Sequence, residues 1–170
     1  MERQRLNALA MEMLHYYAND PARSQHLIKV HAFSKLIAQQ EGLDSDTCAL
    51  LEAAAYVHDI GIKPAEAKYH SAAGPYQEEL GAPIALDLLT RLGFPAPVAQ
   101  RVAYLVGHHH TYHDIDGMDY QILVEADFLV NLYEDFQGDE ALRRTSAQTA
   151  LDRIFVTETG RQLCKEMFGL

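Results

Sequence analysis

Apolar residues along most of the chain recur every three or four positions, the spacing of one face of an α-helix. The alternation of β-branched residues that marks strands is nearly absent. The pattern predicts an all-α fold. A first helix covers roughly 3–18, with Leu6, Leu9, Met13 and Tyr17 as its inward stripe. Asn19-Asp20-Pro21 ends it and opens a second, with Asp20 as N-cap and Pro21 at the first helical position. That helix runs to about Gln40, with Leu27, Val30, Ile37 and either Phe33 or Ser34 along one side, and Gly42 suits the residue beyond its end. Asp44-Ser45 caps a third helix, whose Leu50, Leu51, Ala54 and Val57 carry it to His58-Asp59. Residues 62–75 hold two prolines and Gly74 and are expected to be mostly loop. Further helices are expected over about 76–92, tolerating Pro83, and from Pro95 or Pro97 to the run His108-His109-His110. After a loop around Gly117, helices over about 119–133, 140–155 and 159–168 close the chain. There is no internal repeat.

Composition narrows the class. A chain of 170 residues with 48% hydrophobic content is long enough for one domain, 1–170, with a real core. A formal charge of -10 argues against non-specific nucleic-acid binding, which needs a basic surface. It leaves a small anionic substrate open, because a bound cation inverts the local field. No apolar run approaches the ~20 residues of a membrane span, and Met1 to Arg5 lacks the apolar core of a signal peptide. Cys48 and Cys164 read as reduced thiols of a cytoplasmic protein.

The chemistry concentrates where the third helix ends. Ala53-Ala54-Ala55-Tyr56-Val57 runs straight into His58-Asp59 and stops at Gly61. A core helix that ends by presenting an imidazole and a carboxylate needs a reason, since both are costly to bury unless paired, hydrogen-bonded or bound to metal. Taken alone, the pair reads equally as an Asp capping the next turn beside a core His. Other groups of the same chemistry lie elsewhere on the chain. His26 and His31 lie on the second helix, about 140° apart around its axis, so they cannot serve one centre. His108 and His109, about 100° apart, can serve neighbouring ions, and His110 can replace either because helix ends shift by a residue or two. A His at a helix C-terminus also answers the dipole, which explains one such residue better than three. Asp127 lies among Val124, Phe128 and Leu129, where a carboxylate needs a partner, either an arginine or a metal. Glu125 is expected on another face, in solvent.

The ordered set His26, His58-Asp59, His108-His109 and Asp127 resembles the HD superfamily of metal-dependent phosphohydrolases. In that family the first ligand His sits early on a helix with apolar residues following at helical spacing; Val30, Ile37 and Ala38 match, which favours His26 over His31. His58-Asp59-Ile60-Gly61-Ile62, Tyr76-Gln77-Glu78 and Gly107-His108-His109-His110-Thr111-Tyr112 are also similar to a group of small bacterial HD proteins. The resemblance implies an HD-domain helical bundle. Its metal-site core would cover 22–133, and the helices of 139–170 would pack on it. It also implies one or two divalent ions (Mn, Fe, Ni, Co, Zn or Mg) held by His26, His58, Asp59, His108, His109 and Asp127. The activity implied is hydrolysis of a phosphate ester or nucleotide by metal-activated water, with Asp59 and Lys63 as catalytic residues. Lys68 and Arg23 are further candidate cations. A di-iron oxygenase and a nucleotide-binding regulatory module of low activity are the alternatives. The expected partner is a small phosphorylated molecule or nucleotide, with no membrane, and a homodimer is one open assembly. Two departures from the family stand out. Two-metal members carry one more His, whose place falls here on Gly81, with Glu78 or Glu79 as substitutes; and the Lys that follows His-Asp-x-Gly is displaced by Ile62 to Lys63.

Overall fold

The computed structural model describes residues 2–170, which form nine α-helices and no strand. Met1, the first residue of the amino-terminal stretch considered above, lies outside the described residues. The helices are α1 Glu2–Tyr16, α2 Pro21–Gln40, α3 Ser45–Val57, α4 Ile62–Tyr69, α5 Gly74–Arg91, α6 Ala96–Val106, α7 Met118–Glu134, α8 Glu140–Arg153 and α9 Glu158–Phe168.

The local signals act as expected at the amino-terminal helices. The Asp20 side chain accepts from the Arg23 backbone N–H, with Pro21 in the first turn where no N–H is missed. Gly42 takes the left-handed conformation, φ 75°, just past α2. Asp44 accepts from the N–H groups of Asp46 and Thr47 at the start of α3. Leu9, Met13 and Tyr17 are wholly buried, and on α2 Ser34 rather than Phe33 takes the buried position.

The segment expected to be loop is α4. Pro64 is its third residue, inside the first turn, where a backbone N–H has no helical acceptor to lose. Ala65 and Ala67 favour helix, Ala65 is buried, and the loop shrinks to the few residues between His70 and Gly74. His70 closes α4 in the left-handed conformation at φ 53°. Pro75 and Pro97 likewise sit in first turns, which starts α5 two residues earlier than the apolar pattern did.

Helix α3 is central, packed on α1, α2, α6 and α7, and α2 lies along α7. Val30, Ile37, Leu51, Ala54, Val57, Leu105, Leu123, Ala126 and Leu129 fill the space between them at zero exposure. Helices α8 and α9 also pack on α7. That cover corrects the expectation for Glu125, which is fully buried rather than solvated. Its carboxylate accepts from Gln121 Nε2 at 2.8 Å, from the N–H groups of Val156 and Thr157 at 2.6 and 2.9 Å, and from the Thr157 hydroxyl. It thereby satisfies the entry to α9, the compensation a buried carboxylate requires. None of the described helices is long and apolar enough to cross a membrane. Cys48 and Cys164 are both free thiols.

One close approach fixes the turn that follows α3. A Cβ on Gly61 would lie 2.2 Å from the Gln77 carbonyl oxygen, so α5 rests directly on the backbone of this turn. Gly61→Ala should therefore destabilise the protein by about 3 kcal/mol, the upper part of the overpacking range, read as a lower urea midpoint at unchanged slope.

Candidate metal centre

Four side chains from three places in the sequence converge at the mouth of the α2–α3–α7 core. His26 comes from the second turn of α2, His58 and Asp59 from the turn that ends α3, and Asp127 from the middle of α7. His26 Nε2 lies 3.2 Å from His58 Nε2, 3.4 Å from Asp59 Oδ2 and 3.1 Å from Asp127 Oδ1. His58 Nε2 lies 3.4 Å from Asp59 Oδ2 and 3.5 Å from Asp127 Oδ1. His58 is completely buried, His26 and Asp127 nearly so, and Asp59 is partly exposed.

These distances have a chemical meaning. An ion with bonds of about 2.1 Å to nitrogen and oxygen sets neighbouring ligand atoms about 3.0 Å apart at right angles and about 3.4 Å apart at tetrahedral angles. The five separations are the edges of such a polyhedron. Asp127 Oδ1 is buried with no hydrogen bond of acceptable geometry, although His26 Nε2 is only 3.1 Å away. The ring orientations agree as well: His58 Nδ1 meets the Ala55 carbonyl at 2.9 Å, so Nδ1 donates and a lone pair on Nε2 faces inward.

A second group adjoins the first. Asp59, His109 and His110 offer ligand atoms within 4.8 Å of one another, as do His26, His58 and Asp59. Asp59 belongs to both, with Oδ2 toward His26 and His58 and Oδ1 3.6 Å from His109 Nε2. His109 Nδ1 meets the Val106 carbonyl at 2.8 Å, and the Nε2 atoms of His109 and His110 are buried without partners.

This grouping changes two expectations. His108 does not join it: its ring stacks on Tyr104 at 4.1 Å and its Nδ1 meets the Tyr104 carbonyl. Helix α6 ends at Val106, so the histidines sit in the turn beyond it, and His109 and His110 are the pair grouped with Asp59. Glu78 is not a member either. Its carboxylate accepts from the His110 backbone N–H at 2.9 Å and from the Thr111 hydroxyl, holding the histidine turn from α5. Gly81 is a packing position, where a Cβ would lie 3.0 Å from Val106 Cγ1 and 3.3 Å from the Gly61 nitrogen. Arg101 ties the far end of the same loop to Asp116 and Asp119, and Tyr120 donates to the carbonyls of His108 and Thr111.

The remaining candidates lie around this centre. His31 faces away from it, bonded to Glu52 at 2.8 Å and stacked on Tyr56. The Lys63 ammonium donates to the Tyr16 carbonyl and lies over the Tyr16 and Tyr17 rings. Lys68 and Tyr69 are bonded to Glu79. Arg23 is bonded to Glu66 at 2.6 Å. Tyr17 and Tyr16 donate to the carbonyls of Asp59 and Ile60, latching the end of α1 to the turn. The sequence reading missed Glu134, which lies 2.8 Å from His26 Nδ1.

A model of the HD domain family matches residues 23–155. The chain belongs to the HD-domain family. A search of curated proteins gives no match. Among solved structures, this HD protein is similar to one described as a predicted HD superfamily hydrolase from an uncultured Thermotogales bacterium. The identity is 28%, the TM-score 0.64, and the match covers 98% of this chain and 84% of the other.

The charges of the cluster shift the titration of its members. Burial is the largest influence on His26 and lowers its pKa, but the nearby carboxylates of Asp127 and Asp59 and the hydrogen bond to Glu134 outweigh it and raise it to about 9. Asp59 and Asp127 raise His58 against its burial. Asp59 and Asp127 are held below the usual carboxylate range, since the imidazoles outweigh the burial that would raise them. A raised histidine stabilises the fold below its unfolded value and loses that contribution as pH rises through its folded one. The melting temperature of metal-free protein should therefore fall between pH 6.5 and about 9, while the metal-loaded form stays nearly flat. Metal uptake at pH 7 should release protons, measurable as a calorimetric heat that scales with buffer ionisation enthalpy.

Proposed function

We propose that this HD protein is a metal-dependent phosphohydrolase that cleaves a small phosphate ester or nucleotide. The observation that carries the reading is the polyhedron of imidazole and carboxylate atoms around one point, with spacings of 3.1 to 3.5 Å. His26, His58, Asp59 and Asp127 would hold the first ion. His109 and His110, together with Asp59, would approach a second. The similarity to a structure described as a predicted HD superfamily hydrolase supports the hydrolytic class. Such an ion, when bound, supplies Lewis acidity and lowers the pKa of a coordinated water.

The chain's own residues supply the rest. Asp59 offers one oxygen to each group, so it sets the separation of the two positions. The buried imidazoles exclude bulk water from the inner side of the centre. Arg23 and Lys29 lie three residues before and after His26 on α2, within one turn on either side, and bring positive charge to a molecule that is otherwise acidic. Both are held by carboxylates, Arg23 by Glu66 and Lys29 by Glu134, which an incoming phosphoryl group would rival. Lys63 is committed to the end of α1, so these two cations are better candidates for phosphate.

The test is a screen of nucleoside monophosphates and simple phosphate esters with added Mn, Mg, Co or Ni. Asp59→Ala and Asp127→Ala should lower metal content and reduce turnover at least about a hundredfold, because each removes a ligand. His110→Ala should lose activity by about tenfold or more, whereas His108→Ala and His31→Ala should keep most of it. Turnover that survives Asp127→Ala with full metal content would defeat the reading. Oxygen uptake by iron-loaded protein, without phosphate release, would replace it with an oxidative one.

A further inference from the structure

Glu134 is the last residue of α7 and Asp135 caps the helix, with no basic residue in the final turn. Two carboxylates at the negative end of a helix dipole weaken the helix and call for another reason to be there. Asp127 and Glu134 are seven residues apart, about two turns, so they share the face of α7 that packs on α2. One end of that face meets Nε2 of His26 and the other meets Nδ1: Glu134 Oε2 lies 2.8 Å from Nδ1, while Glu134 Oε1 accepts from Lys29 Nζ at 2.5 Å.

The three most buried imidazoles of the centre are oriented by different means. His58 and His109 follow the ends of α3 and α6, and each donates Nδ1–H to a carbonyl three residues back, Ala55 or Val106. His26 lies within α2, where the neighbouring carbonyls are already taken by helical hydrogen bonds. Its outer nitrogen needs an acceptor from another element, and Glu134 is the group that reaches it.

We propose that Glu134 is a positioning residue of the centre: it accepts the Nδ1–H of His26 and so turns the Nε2 lone pair toward Asp59, Asp127 and His58. Lys29 holds the carboxylate in place from the same helix as His26, so α2 carries both the imidazole and the cation that anchors its orienter. A carboxylate on the outer nitrogen fixes the tautomer and makes the inner nitrogen a better donor, and removing such a group typically weakens metal binding about 10- to 100-fold. The inference rests on the metal reading of the site.

The test is Zn²⁺ titration of wild type, Glu134→Met and Glu134→Gln, with melting temperatures of the metal-free proteins measured alongside. Methionine keeps the length and helix propensity of glutamate but accepts no such hydrogen bond; glutamine keeps an acceptor oxygen. Glu134→Met should lose about 10- to 100-fold in Zn²⁺ affinity while the metal-free protein still melts cooperatively, and Glu134→Gln should recover most of the affinity. In the Zn²⁺-loaded wild type the His26 Nδ1 proton should give a downfield, slowly exchanging resonance that is absent from Glu134→Met. Equal affinity in wild type and Glu134→Met overturns the proposal, as does Glu134→Gln binding as weakly as Glu134→Met. A wild type that takes up no Zn²⁺ fails at the earlier step, the metal reading itself.

Discussion

Two imidazole nitrogens 3.2 Å apart, with two carboxylates against them, must be neutralised together in a place water barely reaches. Each group alone would be expensive there. As a set they are compatible, because the anions raise the histidines and the histidines depress the anions. The helices are arranged to meet this demand. α3 delivers two of the groups from its end, and α2 and α7 each deliver one from within. Their apolar faces pack around α3 so that the groups cannot move apart without opening the core.

The helical period and the capping residues made most of this architecture legible. Asp20, Pro21, Gly42 and Asp44 each state a boundary in the local chemistry of the backbone, and the structure places the boundaries there. Helix α4 was hidden because Pro64 looks like a breaker until its place in the first turn is known. The burial of Glu125 was hidden for a related reason. Periodicity shows which face of α7 turns inward, but α7 has α2 on one side and α8 and α9 on another, so two faces are covered.

Within the site, the residues that a helix or its terminal turn presents were readable, and those that depend on loop path were not. His26, His58, Asp59, His109 and Asp127 lie close together, the set that the resemblance implied, whereas the turn beyond α6 brings His110 rather than His108 beside Asp59. Glu78, expected as a substitute ligand for the place of Gly81, instead holds the backbone of the histidine turn. Glu134 did leave a trace in the sequence, two turns after Asp127 and at a helix end where an acid is out of place.

The latch between α1 and the turn after α3 bears on how this family member can be subdivided. Tyr16 and Tyr17 lie upstream of the segment 23–155 that matches the family, yet their hydroxyls bind the carbonyls of Ile60 and Asp59, and the Tyr16 carbonyl receives Lys63. A fragment trimmed to the matched boundaries would keep every candidate ligand and lose the strut that sets the height of the Asp59 backbone. The smallest unit that reproduces this centre therefore begins before the family signature does, and α1 functions as part of the scaffold of the site rather than as a leader to it.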